Sequence, residues 1–447
     1  MRHTGSYMLM AASFSLLLVG CQSVPHLIVE NTPLIKAEQT VDRAHDLVID
    51  SAGVRLGASA DTGVAATGSS ASGGVGVNSG SSADVGANAG SSASTGVNAA
   101  TGASSGVGTG TANNSGEIVV YTQRDVEERS DPLHILYAGD AMFDWSVKES
   151  IDKNGPNYPF MHIQKEIEQA DYSFVNLETA VTLEKEMDTN QIYNFKSNPE
   201  SLTGLKQAGF DMVSVANNHS MDFLQKGFLD TLSNLDKAGL LYVGGGKNAQ
   251  EAYKAKSISI KGKKVKFLAF SRFIPTGDWF AGQNKPGIAQ AYDRKPVLDA
   301  IAREREDADY VLIYIHWGVE MNNRPEPWQR EFAKQMIDAG ADAVIGSHVH
   351  VLQGFEYYKG KPIAYSIGNF LFPDYVTGPK ADTGLLHLKL DGDQIDMSFQ
   401  PFYIEKNQIV SKGTAYVDKQ MAYLSSISYG VAFDGLTIRP NESLASR

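Results

Sequence analysis

From residue 133 onward, the apolar residues alternate between short buried runs and helical stripes. Leu133 to Ala138 predicts a strand, Phe160 to Ala170 a helix, and Tyr172 to Val175 a strand. Pro199 to Ala208 predicts a helix, Asp211 to Val215 a strand, and Leu224 to Ala238 a helix. A hairpin follows, Ser257 to Ile260 and Val265 to Phe270, turned at Lys261-Gly262-Lys263. Then come a helix from Pro296 to Glu306, a strand from Tyr310 to Ile315, a helix from Trp328 to Ala339, and a strand from Ala341 to Ile345. Beyond it the pattern becomes all-β, at Gln353–Tyr358, Pro362–Ser366, Leu385–Leu390 and Gln394–Gln400. Alternating βα units predict parallel sheet, and the trailing hairpins add antiparallel strands. Met421 to Arg447 reads as a helix and a frayed tail.

The N-terminal quarter has a different pattern. Met8 to Val19 is an apolar run too short for a comfortable membrane span, and it ends in Leu18-Val19-Gly20-Cys21. Small residues before a cysteine resemble the lipobox of bacterial lipoproteins, which implies cleavage before Cys21 and acylation on it. Gln22 follows, which in Gram-negative lipoproteins goes with outer-membrane sorting. A small helix is expected around Val41 to Ile49. From Leu56 to Gly116 there is no aromatic residue and no Lys or Arg, and a loose ten-residue Gly/Ser/Ala/Asn repeat runs through the stretch. Stacking such units would bury almost nothing, so a disordered tether is expected, spanning about 45 Å root-mean-square. The expected divisions are a signal peptide over 1–20, a lipidated N-terminus and linker over 21–116, a folded head over 117–419, and a C-terminal helix and tail over 420–447.

Composition adds two exclusions. The formal net charge is −12, which argues against nucleic acid as a partner, since phosphate binding needs a basic surface. The single cysteine leaves no internal disulfide.

The chemistry gathers where the predicted strands stop. Gly346-Ser347-His348-Val349-His350 places two imidazoles at i and i+2, which on an extended segment point the same way and would reach one metal-sized volume. Asp140, Glu178, Asn218 with His219, and His316 follow four other strands. All are therefore expected at the carboxyl edge of one sheet, where α/β folds place ligands. Carboxylate, amide oxygen and imidazole together suit Mn, Fe, Zn or Mg. Lys196 and Arg272 could meet an anionic group of a substrate, and Asn369 could hold a neighbouring ligand in place.

The order Gly-Asp, Asn-Leu-Glu, Ala-Asn-Asn-His, His-Trp-Gly-x-Glu, Gly-x-His-x-His and Gly-Asn-Phe, from about Leu133 to Phe372, resembles the CapA family of capsule (poly-γ-glutamate) synthesis proteins. These are similar in fold to calcineurin-like metallophosphoesterases. The resemblance implies a layered α/β sandwich, with mixed sheets flanked by helices. It implies Asp140 and His350 on a first metal, Glu178 bridging, and Asn218, His316 and His348 on a second. It also implies that His219 acts as a proton donor rather than a ligand. Met142 stands where the phosphoesterases carry a ligating histidine, which leaves three donors on the first metal and four on the second. One tightly held divalent ion and one weak one are therefore expected.

The implied function is a lipid-anchored, extracytoplasmic protein of the cell envelope, on the outer membrane if the cell is Gram-negative. It would act as a metal-dependent hydrolase or transferase on an anionic capsular polymer, such as poly-γ-glutamate or a polysaccharide, alongside other synthesis and export proteins. The alternative is a non-catalytic polymer-binding or export component with a degenerate metal site.

Overall fold

The computed structural model describes residues 131–441. The signal peptide, Cys21, the helix around 41–49, the linker to 116 and the last six residues of the tail lie outside the described residues.

The chain builds β1 (Leu133–Ala141), helix α1 (Trp145–Asn154), β2 (Tyr172–Leu177), α2 (Ser201–Ala208), β3 (Met212–Ser214), α3 (Leu224–Ala238) and β4 (Leu241–Val243). It continues with β5 (Lys256–Ile260), β6 (Lys263–Ser271), α4 (Arg294–Arg305), β7 (Tyr310–Trp317), α5 (Pro327–Asp338) and β8 (Ala343–His348). The last part comprises β9 (Phe355–Tyr358), β10 (Lys361–Ala364), β11 (Asn369–Leu371), β12 (Asp382–Asp391), β13 (Gln394–Glu405) and β14 (Gln408–Val410). Helix α6 (Thr414–Ile427) and a hairpin, β15 (Val431–Asp434) and β16 (Thr437–Pro440), close it.

The strands form two large mixed sheets. The first runs β15-β16-β13-β12-β1-β2-β3-β4, with β11 beside β1 and β14 beside β13. The second runs β9-β10-β8-β7-β6-β5. β1, β2, β3 and β4 pair in parallel, as do β6, β7 and β8. This is the layered α/β sandwich with helix-flanked mixed sheets that the motif order implied.

Side-chain alternation explains the layering. Along β7, Tyr310, Leu312 and Tyr314 belong to the core shared with the first sheet. Val311, Ile313, Ile315 and Trp317 pack instead with Val297 and Ile301 of α4 and Phe332 and Met336 of α5. Between the sheets, Tyr137, Phe174, Phe267 and Tyr314 stack with centroids 5.1–6.3 Å apart. Burying each such ring contributes roughly 1.5–3 kcal/mol.

Four expectations are corrected. The ligand-bearing strands do not share one sheet: Asp140, Glu178 and Asn218 lie at or beyond the ends of strands of the first, and His316, His348 and His350 at or beyond those of the second. Helix α1 occupies a stretch given no element, because only Val147 and Ile151 are buried on it and so short a stripe is weak. Phe160–Ala170 holds a 3-10 turn and a helix of only five residues. The C-terminal segment is more than a helix and tail. Its helix starts at Thr414, and β16 pairs with β13, Met397 opposite Ile438, so the hairpin extends the first sheet.

Candidate metal centre

The first sheet delivers oxygen donors. β1 carries a register irregularity against β2 between Tyr137 and Asp140, and another against β11 between Asp140 and Ala141. Such bulges re-aim side chains. Gly139 is required beside it, since a Cβ there would lie 1.9 Å from the Gly368 carbonyl oxygen. Asp140 accepts from the Asn176 side chain at 2.7 Å and from the His348 backbone N–H at 3.0 Å. Glu178 follows β2 and its N–H donates to the Ala141 carbonyl at 2.9 Å. Asn217 donates to Asn176 Oδ1 and to the Leu177 carbonyl, and its own oxygen accepts from the His219 N–H and Ser220 Oγ. That network presents Asn218, whose Oδ1 lies 2.7 Å from His316 Nε2.

The second sheet delivers nitrogen donors. His316 closes on Ser347 Oγ with Nδ1 at 3.2 Å, and its Nε2 lies 3.1 Å from His348 Nδ1. The regular extension expected through the His-x-His stretch is absent. His348 has φ 99° and His350 φ 58°, so the backbone enters the left-handed region at both. Left-handed geometry costs a non-glycine residue roughly 1–3 kcal/mol and persists only where the surroundings enforce it. Phe273 stacks on the His348 ring at 4.1 Å, and Phe372 meets the His350 ring edge at 5.1 Å. The two imidazoles consequently serve two neighbouring groups instead of one.

Two sets of donor atoms each lie within 4.8 Å of one another: Glu178 with His316 and His348, and Asp140 with Glu178 and His350. Glu178 belongs to both. It is fully buried, and neither of its carboxylate oxygens has a hydrogen-bond partner; nor does His348 Nε2. Buried polar atoms are normally paired, so a buried carboxylate with both oxygens unpaired, shared by the two donor sets, fits a bound cation.

The electrostatics point the same way. Burial pushes the Glu178 carboxyl well up, and the neighbouring Asp140 adds to this. Burial acts to raise Asp140 too, but His316 and His350 outweigh it and hold it at about 2. Burial depresses His316, and depresses His348 well below the usual imidazole range. At His350 burial acts downward, yet the Glu320 carboxylate prevails and raises it to about 10. A divalent ion would favour the ionised carboxylates and neutral imidazoles together.

His219 belongs to neither donor set. Its Nδ1 lies 2.9 Å from Asp222 Oδ2, its ring sits 4.1 Å from that of Phe195, and Asp222 also accepts from the Phe195 N–H at 2.7 Å. Burial raises Asp222, against the pull of His219. Lys196 donates from Nζ to the Glu184 carbonyl at 3.0 Å and lies over the Phe223 ring. Arg272 packs 4.1 Å from the Trp328 ring, and its N–H donates to the His316 carbonyl. Asn369 accepts from His350 Nδ1 at 2.8 Å and donates to the Lys380 carbonyl. Met142 is buried in a separate apolar cluster with Phe195, Phe372 and Ile404.

Sequence reasoning gave no role to Asn176, Asn217, Asp222 or Glu320. Asn176, Asn217 and Glu320 stand inside the motifs already quoted, and Asp222 follows His219 at the i+3 spacing that brings side chains together in a turn.

A sequence model described as bacterial capsule synthesis protein PGA_cap matches residues 134–374. The chain is 32% identical to a capsule biosynthesis protein CapA of Bacillus anthracis, over 66% of this chain and 72% of that protein. It is 34% identical to a PGA biosynthesis protein CapA of Bacillus subtilis, over 59% and 69% respectively. A solved 5'-nucleotidase from Candida albicans overlaps it at TM-score 0.35 and 10% identity, over 60% of this chain and 51% of that one.

Proposed function

The chain belongs to the bacterial capsule synthesis protein PGA_cap family, and from that premise we propose a metal-dependent hydrolase or transferase acting on an anionic envelope polymer. Its relatives include CapA proteins of capsule and PGA biosynthesis, and this is a CapA-type protein of capsule or poly-glutamate synthesis. Metal-dependent chemistry is supported by the fully buried Glu178, shared by both donor sets with neither oxygen hydrogen-bonded.

In this reading Asp140, Glu178 and His350 would hold one divalent ion, and Glu178, Asn218, His316 and His348 a second. When bound, such ions supply Lewis acidity toward an acyl or phosphoryl oxygen and activate water near neutral pH. The chain's own contribution is proton handling and orientation. Asp222 holds Nδ1 of His219, leaving Nε2 to give a proton to the leaving group. Asn369 fixes the His350 ring, and Asn176 fixes Asp140. A polymer-handling role without catalysis is the second reading, favoured by Met142 where a ligating imidazole is implied.

His219→Ala and His348→Ala separate the two. Catalysis requires that His219→Ala keep its metal while phosphodiester or γ-glutamyl hydrolysis falls about 10²–10⁴-fold. His348→Ala should lose one ion. Normal polymer production in cells carrying His219→Ala, with loss in His348→Ala, would leave only the polymer-handling reading. We further propose an extracytoplasmic location on a lipid anchor at Cys21, supported by the Leu-Val-Gly-Cys stretch. Labelled fatty acid still incorporated by Cys21→Ser would refute it.

A further inference from the structure

The metal-centre reading leaves its first half with three donors, because Met142 is turned into an apolar cluster. A fourth carboxylate, Glu320, meets one donor of that half, His350, from the turn after β7. Gly318 opens this turn at φ 109°, where a Cβ would lie 2.5 Å from Val349 Cγ1. The Met321 N–H then donates to the Val349 carbonyl at 2.9 Å, and Gln353 donates to the Asn322 carbonyl at 2.8 Å. These bonds tie the turn to the His-x-His loop. They place Glu320 Oε1 3.6 Å from His350 Nε2, with the Glu320 side chain only 18% exposed.

The pose of His350 decides what this contact means. Asn369 donates from its amide nitrogen to the Lys380 carbonyl, so its oxygen is the atom facing His350 Nδ1. Nδ1 therefore carries a proton, and in the neutral ring the Nε2 lone pair faces the Glu320 carboxylate. Two electron-rich atoms in that arrangement need a positive charge between them. Two donors each about 2.1 Å from one ion lie at most about 4.2 Å apart, so a single ion could take both.

We propose that Glu320 is a ligand of the first metal, supplying the donor that Met142 does not. The inference rests on the metal-centre reading and revises its ligand count: both halves then hold four protein donors. Asp140, Glu178, His350 and Glu320 form the first, and Glu178, Asn218, His316 and His348 the second. Two ions of similar affinity are expected in place of one tight and one weak.

The test uses the purified full-length chain, stripped with chelator, reloaded with Mn²⁺ alone and dialysed, with metal content read by elemental analysis. Wild type should retain two ions and Glu320→Ala one. Glu320→Gln keeps the side-chain shape and should raise the Kd of one ion more than about tenfold. Met142→His placed in Glu320→Ala should restore the second ion. Two retained ions in both Glu320 variants would overturn the proposal. So would a wild type with one ion and no change on substitution. No Mn²⁺ in wild type, His348→Ala and Glu320→Ala alike would overturn the metal-centre reading itself, an outcome distinct from failure at Glu320 alone.

Discussion

The two sheets contribute to the centre in opposite ways. The first gives oxygen: Asp140 near the end of β1, and Glu178 and Asn218 after β2 and β3, braced by the Asn176–Asn217 amides. The second gives nitrogen: His316 on regular strand, then His348 and His350 on left-handed backbone held by ring stacking and by Asn369. Each set alone is costly. The buried carboxylates lack a compensating charge, and the buried imidazoles lack partners for their free nitrogens. Only docked together do they offer a cation both charge and coordination, so ion binding and sheet docking are thermodynamically linked.

That linkage can be broken most directly at Glu178, the residue common to both donor sets. Glu178→Ala should lose both ions and all metal-dependent turnover, seen as elemental content falling to zero after dialysis. Retention of one full ion would mean that the two sets are independent. A paired substitution sharpens the contrast next. Phe267→Ala at the sheet interface and Phe332→Ala on the helix-covered face of the second sheet should each cost about 3–5 kcal/mol in denaturant unfolding of the chelated protein. Only Phe267→Ala should also weaken Mn²⁺ binding by calorimetry; equal metal affinity in both would uncouple docking from the ion.

The smallest effect concerns histidines of the first sheet that the centre does not use. His134 and His387 stack across β1 and β12 with Nε2 and Nδ1 2.9 Å apart. Burial, then His134, lowers His387 to about 4. A depressed imidazole pKa means that the unfolded chain takes up the proton first. Stability is therefore intact above about pH 6.5 and falls as pH drops toward 4, by at most about 3 kcal/mol. His387→Gln should flatten this acid limb in pH-dependent melting of the chelated protein, whereas an unchanged limb would place the titration elsewhere.

Strand positions were legible because β1, β7 and β8 are near-continuous apolar runs, as strands buried on both faces must be. Partition into two sheets was not, since a βα unit of one sheet reads like that of the other. The donors were legible by type and order. The direction of His348 and His350 was not, because nothing in Ser-His-Val-His announces positive φ in residues with a Cβ. The C-terminal hairpin did carry a signal: Asp434-Gly435 between short alternating runs is a turn dipeptide. Its strands are half-exposed, which weakened the periodicity.

The pairing of β1 with β12 sets a clock on biosynthesis. His134 and His387, which meet across that pair, are 253 residues apart, and Asp140 and His348 are separated by 208. At about 5–20 residues per second, roughly 10–50 s pass between emergence of the start of β1 and of the strand that covers its edge. For that interval the nascent chain carries acidic groups that cannot yet hold an ion and a central strand with one side unpaired. Metal supply then cannot assist the early steps of folding. In the proposed metal-centre reading an ion would bind only after the second sheet has docked.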